Sequence, residues 1–185
     1  AMARDHGLGM AVGLPELDGE NRYNSLLLLG SDGEERARYR KVHLWDTERG
    51  WASEGDCFPV VDYQSVKMGM WICYDSRFPE TGRTLAQQDA ALGLVATAWL
   101  GPAEEWSLAI RSRALDNGMF VAASALLGKP FHGESLIVNP HGTILAEGVP
   151  GETGLILAEI DPAVRESFYA RVPLLKDIRP QAYPA

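Results

Sequence analysis

Cys73 ends an apolar stretch and stands just before residues that start helices, a placement that suits a nucleophilic thiol. Across residues 66–73, Val66, Met68, Met70 and Ile72 alternate with Lys67, Gly69, Trp71 and Cys73, the two-residue period of a strand. Asp75 and Ser76 are good N-cap types, and Pro79 is best tolerated in a first helical turn, so the strand is expected to pass straight into a helix. A thiol at such a mouth has orphan backbone N–H groups and a positive dipole end beside it, which favour thiolate over thiol. The same amides can hold an oxyanion. Free cysteines are also among the most buried residue types, so an inert core thiol stays open on these residues alone.

The elements that must position this thiol alternate between strand and helix. Residues 9–14 read as a short strand closed by Pro15, and residues 24–29 and 35–42 as a hairpin around Ser31-Asp32-Gly33. Residues 59–62 and 66–73 form a second strand pair, followed by a helix over 79–88. Residues 91–98 are a continuous apolar run, as in a strand buried on both faces. Residues 104–117 are amphipathic, with Trp106, Ile110, Ala114 and Asn117 near one stripe and Gly118 as the stop. Strands are expected at 119–126, 135–138, 143–146 and 155–160, and a closing helix at 162–171 with Pro162 at its first position. Residues 3–7 look like the tail of a helix whose body is absent. Such an order, with hairpins inserted among βα units, argues for a layered α/β sandwich. No internal repeat or linker divides the chain, so residues 1–185 are expected to form one domain.

Composition narrows the function classes. The 46% hydrophobic and 23% charged shares are those of a globular protein long enough for a sizeable core. A net charge of −8 argues against nucleic acid or an anionic membrane as the main partner. The only cysteines are Cys57 and Cys73, with no paired Cys/His spacing, so neither a zinc site nor a disulfide framework is expected, and a reducing, cytoplasmic compartment is. The longest apolar runs are too short to span a bilayer, and the first residues carry no signal-peptide core.

Lys41 lies in Arg38-Tyr39-Arg40-Lys41-Val42-His43-Leu44, where a lysine is ordinarily a solvated strand-end residue. Here it precedes the acidic and aromatic loop Trp45-Asp46-Thr47-Glu48-Arg49-Gly50-Trp51, then Glu54-Gly55-Asp56, then the Cys73 turn. This arrangement resembles the nitrilase superfamily of carbon–nitrogen hydrolases. The stretches Tyr39 to Leu44 and Ile72 to Glu80 look like that family's lysine and cysteine motifs. The likeness continues through Asn24-Ser25, Trp99-Leu100-Gly101-Pro102, Arg111, Ala114 and Asn117, Gly133-Glu134-Ser135-Leu136-Ile137 and the tail Arg171 to Tyr183.

The resemblance implies a four-layer α-β-β-α sandwich and hydrolysis of a small amide or nitrile, with no cofactor. It implies Cys73 as nucleophile, Lys41 and the backbone N–H of Tyr74 as oxyanion donors, and Glu48 as a supporting carboxylate. Tyr74-Asp75 after the cysteine is more like the family's amidases than its nitrilases. A homodimer or larger homo-oligomer is the expected assembly. The family's main catalytic glutamate lies on an early strand with no counterpart here, since two βα units, on the order of 60 residues, are expected to be missing. Glu16, in Leu14-Pro15-Glu16, reads as a surface residue in a turn instead. Residues 1–185 alone are therefore expected to be inactive, and a non-catalytic remnant or interaction subunit is the rival reading. Trp45, Trp99 and Phe131 could wall a substrate pocket or simply pack. Asp75, Arg77 and Glu80 are expected to brace the turn, Cys57 to be structural, and a Cys/His dyad through His43 has no supporting context.

Overall fold

A proline that would close a central strand is tolerated at a sheet edge, and this decides where the chain's first sheet begins. The computed structural model describes residues 2–183. After helix α1 (Met2–His6), strand β1 runs over Met10–Asp18 and continues through Pro15. β1 is the outer strand of an antiparallel three-stranded sheet with β2 (Asn21–Leu29) and β3 (Glu35–Arg40), so the missing proline N–H disturbs no inner ladder.

The second sheet has six strands. β4 (Val60–Tyr63) and β5 (Val66–Ile72) form a hairpin; helix α2 (Pro79–Gln87) leads to β6 (Leu92–Thr97), and helix α3 (Ala103–Asn117) to β7 (Phe120–Ala125). A small ribbon, β8 (Leu127–Gly128) with β9 (Phe131–His132), precedes β10 (Leu136–Val138) and β11 (Ile144–Glu147). The order is β11-β10-β7-β6-β5-β4, with β5, β6 and β7 parallel at the centre and antiparallel strands on both flanks. Helices α4 (Pro162–Arg171) and α5 (Leu174–Asp177) follow, and a 3₁₀ turn at Pro180–Ala182 is the last described element.

The central strands are apolar on both faces because both are covered. On one side, a Cβ at Gly69 would meet the methyls of Leu85 in α2. The stripe Trp106, Ile110, Ala114 and Asn117 of α3 is fully buried, as its spacing predicts, and Gly118 at φ 56° supplies the left-handed stop. On the other side Leu26, Leu28 and Tyr39 of the small sheet join Met70 and Ile72 in one core. A Cβ on Gly13 of β1 would lie 3.2 Å from that of Ala96 of β6, which marks how closely the two sheets approach. Among the described residues no helix is long and apolar enough to cross a membrane.

Beyond the strand expected to close at Pro15, two further expectations are corrected. Residues 155–160 are not a core strand: Leu155 and Leu157 are 84% and 76% exposed, and the segment has no ladder partner among the described residues. Its alternation of apolar types is real, but an extended segment becomes a strand only when a neighbour takes its backbone groups. Glu16 is not a surface turn residue. It lies within β1, is 8% exposed, accepts from Ser25 Oγ at 2.5 Å and Arg40 Nη2 at 2.5 Å, and pairs with Arg38.

That network makes an acid-sensitive strut. Arg40 is the main cause, against the opposing effect of burial, that lowers the Glu16 carboxyl from 4.5 to about 2, with Ser25 and Arg38 adding to it. A depressed folded-state value contributes stability above the unfolded value, and that contribution is lost as pH falls from 4.5 towards 2. Glu16→Gln is expected to destabilise by about 1–2 kcal/mol at neutral pH, the two arginines being partly solvated. Denaturant titration should show the gap between variant and parent closing at pH 2–3; a gap independent of pH would reject the strut.

Candidate active site

Cys73 follows β5 directly, but the helix start lies further on than the sequence suggests. Residues Cys73–Arg77 form a 3₁₀ turn, and α2 begins only at Pro79, with Phe78 at its N-cap. Asp75 and Ser76 therefore do not cap α2. Asp75 is fully buried and its side chain accepts from Ile72 N, while the Ser76 hydroxyl accepts from Trp71 Nε1 at 2.9 Å. Cys73 itself has φ 47°, a left-handed conformation uncommon for any residue with a side chain. Its thiol is half-buried and lies 3.7 Å from the carbonyl oxygen of Ala98.

Lys41 is not a solvated edge residue. It is 2% exposed and its ammonium is bonded to Glu48, in the 3₁₀ turn Asp46–Gly50. Its backbone is fixed too, Lys41 N donating to Asn24 O at 2.8 Å and Lys41 O accepting from Gly55 N at 2.9 Å. Glu48 is held on both oxygens: Oε1 accepts from Asn24 Nδ2 at 2.7 Å, Oε2 from Lys41 and from Trp45 N at 2.7 Å. Burial opposes the charged form of Glu48, but the bonds from Lys41 and Trp45 N–H prevail and bring its carboxyl below the usual value. The ion pair with Lys41 thus offsets the burial of the Glu48 carboxylate, which would be costly for an isolated charge.

A cleft of about 760 Å³ brings Cys73, Lys41, Glu48 and Asn24 together. Phe131 and Trp45 stand on its wall. Trp99 does not line it. That indole is 6% exposed, packed on Trp106 at 5.3 Å under the Arg77 guanidinium, and walls a separate recess of about 130 Å³ that also touches Cys73 and Tyr74. The Tyr74 ring packs edge-on against Trp45 at 4.6 Å. Arg77 braces the turn through Glu105 at 2.5 Å, whereas Glu80 is exposed and makes no side-chain hydrogen bond among the described residues. Cys57 is exposed rather than packed, and desolvation with the adjacent Asp56 raises its thiol. Among the described residues no group of three His, Cys, Asp or Glu side chains could hold a metal ion.

Sequence reasoning missed part of the wall. Gly148, Glu152, Gly154 and Ile156 line the cleft, from the segment taken to lead into a core strand, and Glu134 lines it at φ 65°. Asn24 was legible only as part of a motif; its bond to Glu48 needs the fold.

A carbon–nitrogen hydrolase family model matches residues 1–169, so the chain belongs to the carbon–nitrogen hydrolases. Its architecture is that of the nitrilase superfamily, the α-β-β-α sandwich. It is similar to the omega-amidase NIT3 of Saccharomyces cerevisiae, with 36% identity over 92% of this chain and 64% of that protein. It is 33% identical to the deaminated glutathione amidase of Mus musculus, over 98% of this chain and 63% of that one. The chain thus spans less than two thirds of the length of either. The solved structure of yeast Nit3, a member of branch 10 of the nitrilase superfamily, matches with a TM-score of 0.85 and 34% identity, over 95% of this chain and 68% of that one. A variant of the amidase from Nesterenkonia sp. AN1, carrying the acetamide moiety of fluoroacetamide on its active-site cysteine, matches with a TM-score of 0.86 and 30% identity, over 98% of this chain and 68% of that one.

Proposed function

We propose that this chain carries the nucleophile and oxyanion site of an amidase, which cleaves the carbon–nitrogen bond of a small carboxamide through a thioester on Cys73. The observation that carries this reading is a buried, charge-paired lysine opening on the same cleft as a half-buried thiol. The Cys73 sulfur attacks the amide carbon, and the carbonyl oxygen takes the negative charge, facing the Lys41 ammonium and the Tyr74 N–H. Collapse of the tetrahedral adduct breaks the carbon–nitrogen bond, and the nitrogen leaves as ammonia or an amine after receiving the proton taken from the thiol. Water then attacks the thioester, giving the carboxylic acid and the free thiol.

Glu48 supports this chemistry by holding Lys41, since each of its oxygens is already engaged. Glu16 is unsuited to proton transfer, because a carboxylate whose value is about 2 is too weak a base to take a thiol proton. We assign amides over nitriles because Tyr74-Asp75 and the named relatives point that way.

Incubation with propionamide followed by intact-mass and peptide mass spectrometry should find an acyl adduct on Cys73. Iodoacetamide should label Cys73 ahead of Cys57. Preferential labelling of Cys57, or an adduct elsewhere, would overturn the assignment and favour an interaction subunit.

A further inference from the structure

We propose that Asp75 is a positioning residue, a single buried carboxylate that makes the Lys41 loop and the Cys73 turn one mechanical unit. This rests on the reading of Cys73 and Lys41 as the reacting pair, and extends it to the groups that set their spacing.

Asp75 is 0% exposed, and no lysine or arginine is paired with it among the described residues. Oδ1 accepts from His43 N at 3.0 Å and lies 2.8 Å from His43 Nδ1. Oδ2 accepts from the Tyr39 hydroxyl at 2.6 Å and from Ile72 N at 3.0 Å. The donors come from three places: two residues before Lys41, two residues after it, and the residue just before Cys73. The Tyr39 oxygen also accepts from Val42 N at 3.0 Å, which closes the loop around Lys41. A second strap runs through the rings, His43 stacking on Phe78, at the end of the Cys73 turn, at 3.7 Å and 7°.

The chemistry of the cluster requires a carboxylate. With an acceptor on the other side, His43 Nδ1 must carry the hydrogen. Burial and the Asp75 charge push the Tyr39 phenol well above its ordinary range, so it remains a donor. An asparagine offers one acceptor oxygen and turns an NH₂ towards donors on the other side, leaving buried N–H or O–H groups unmatched. A misplacement of about 1 Å between reacting groups costs roughly a hundredfold in rate, so the tie acts on turnover through Lys41 and Cys73.

Hydrogen exchange read by mass spectrometry tests the tie without needing turnover. Tyr39→Phe removes the hydroxyl's bond to Asp75 and the one it accepts from Val42 N, and leaves the Asp75 bonds to Ile72 N and His43 N in place. Exchange is expected to rise roughly tenfold both in residues 41–44 and, across the tie, in residues 72–77, while β7 is unchanged. Where the protein hydrolyses an amide, kcat should fall roughly thirtyfold or more with KM within about threefold. His43→Leu should behave alike, and His43→Asn, which keeps a donor near the Nδ1 position, should restore most of both readouts. If Asp75→Asn does not fold, these variants carry the test. A rise confined to residues 39–44, or an even rise throughout the molecule, would overturn the proposal. An active Cys73→Ala protein with the exchange coupling intact would instead overturn the reaction assignment alone.

Discussion

Under the proposed mechanism, Cys73→Ala is expected to abolish amide hydrolysis, with a loss in kcat on the order of 10⁶-fold, as when the nucleophile is removed from other covalent hydrolases. No second route is available from the described thiols, since Cys57 is exposed and lies outside the cleft. The fold should survive, because the replacement keeps Cβ and removes only a half-buried sulfur. Ammonia release by the folded variant within tenfold of the parent would end the thioester mechanism. The same assay addresses the proton. Should the 185-residue chain hydrolyse propionamide by itself, the base must be one of the carboxylates lining the cleft, Glu48, Glu134 or Glu152, and single replacements by glutamine would find it.

Lys41→Ala should lower kcat by about 10²–10³, the usual result of deleting one oxyanion donor. It should also cost stability, about 3 kcal/mol, because it leaves the Glu48 carboxylate partly buried beside an empty site. The two effects can be separated. Adding Glu48→Gln removes the stranded charge, so the double variant should regain much of its melting temperature and none of its rate. Recovery of kcat together with stability would mean that Lys41 is structural. A near-parental kcat in Lys41→Ala alone would reject the oxyanion role outright.

Much of this was legible along the chain because local rules and the fold agree. The α3 stripe, Pro162 at the first position of α4 and the alternation of β5 each signal one element, and each element formed there. The thiol and the lysine were legible as motifs. What was not legible depends on who stands opposite. Pro15 argues for a strand end unless β1 is known to be an outer strand. Glu16 reads as surface until Arg38 and Arg40 arrive from β3, more than twenty residues later. Residues 155–160 carry a strand-like pattern that no neighbour among the described residues completes. Asp75 looked like a helix cap because its type suits one, and only the return of Tyr39 and His43 to the same place gives its carboxylate other partners.

The left-handed backbone at Cys73 sets stability and chemistry against each other at one position. A residue with a Cβ held there costs on the order of 1–2 kcal/mol relative to glycine. Glycine would relieve that cost and abolish the thiol. Under the proposed mechanism, selection for heat resistance alone would therefore favour a glycine that has no nucleophile to offer.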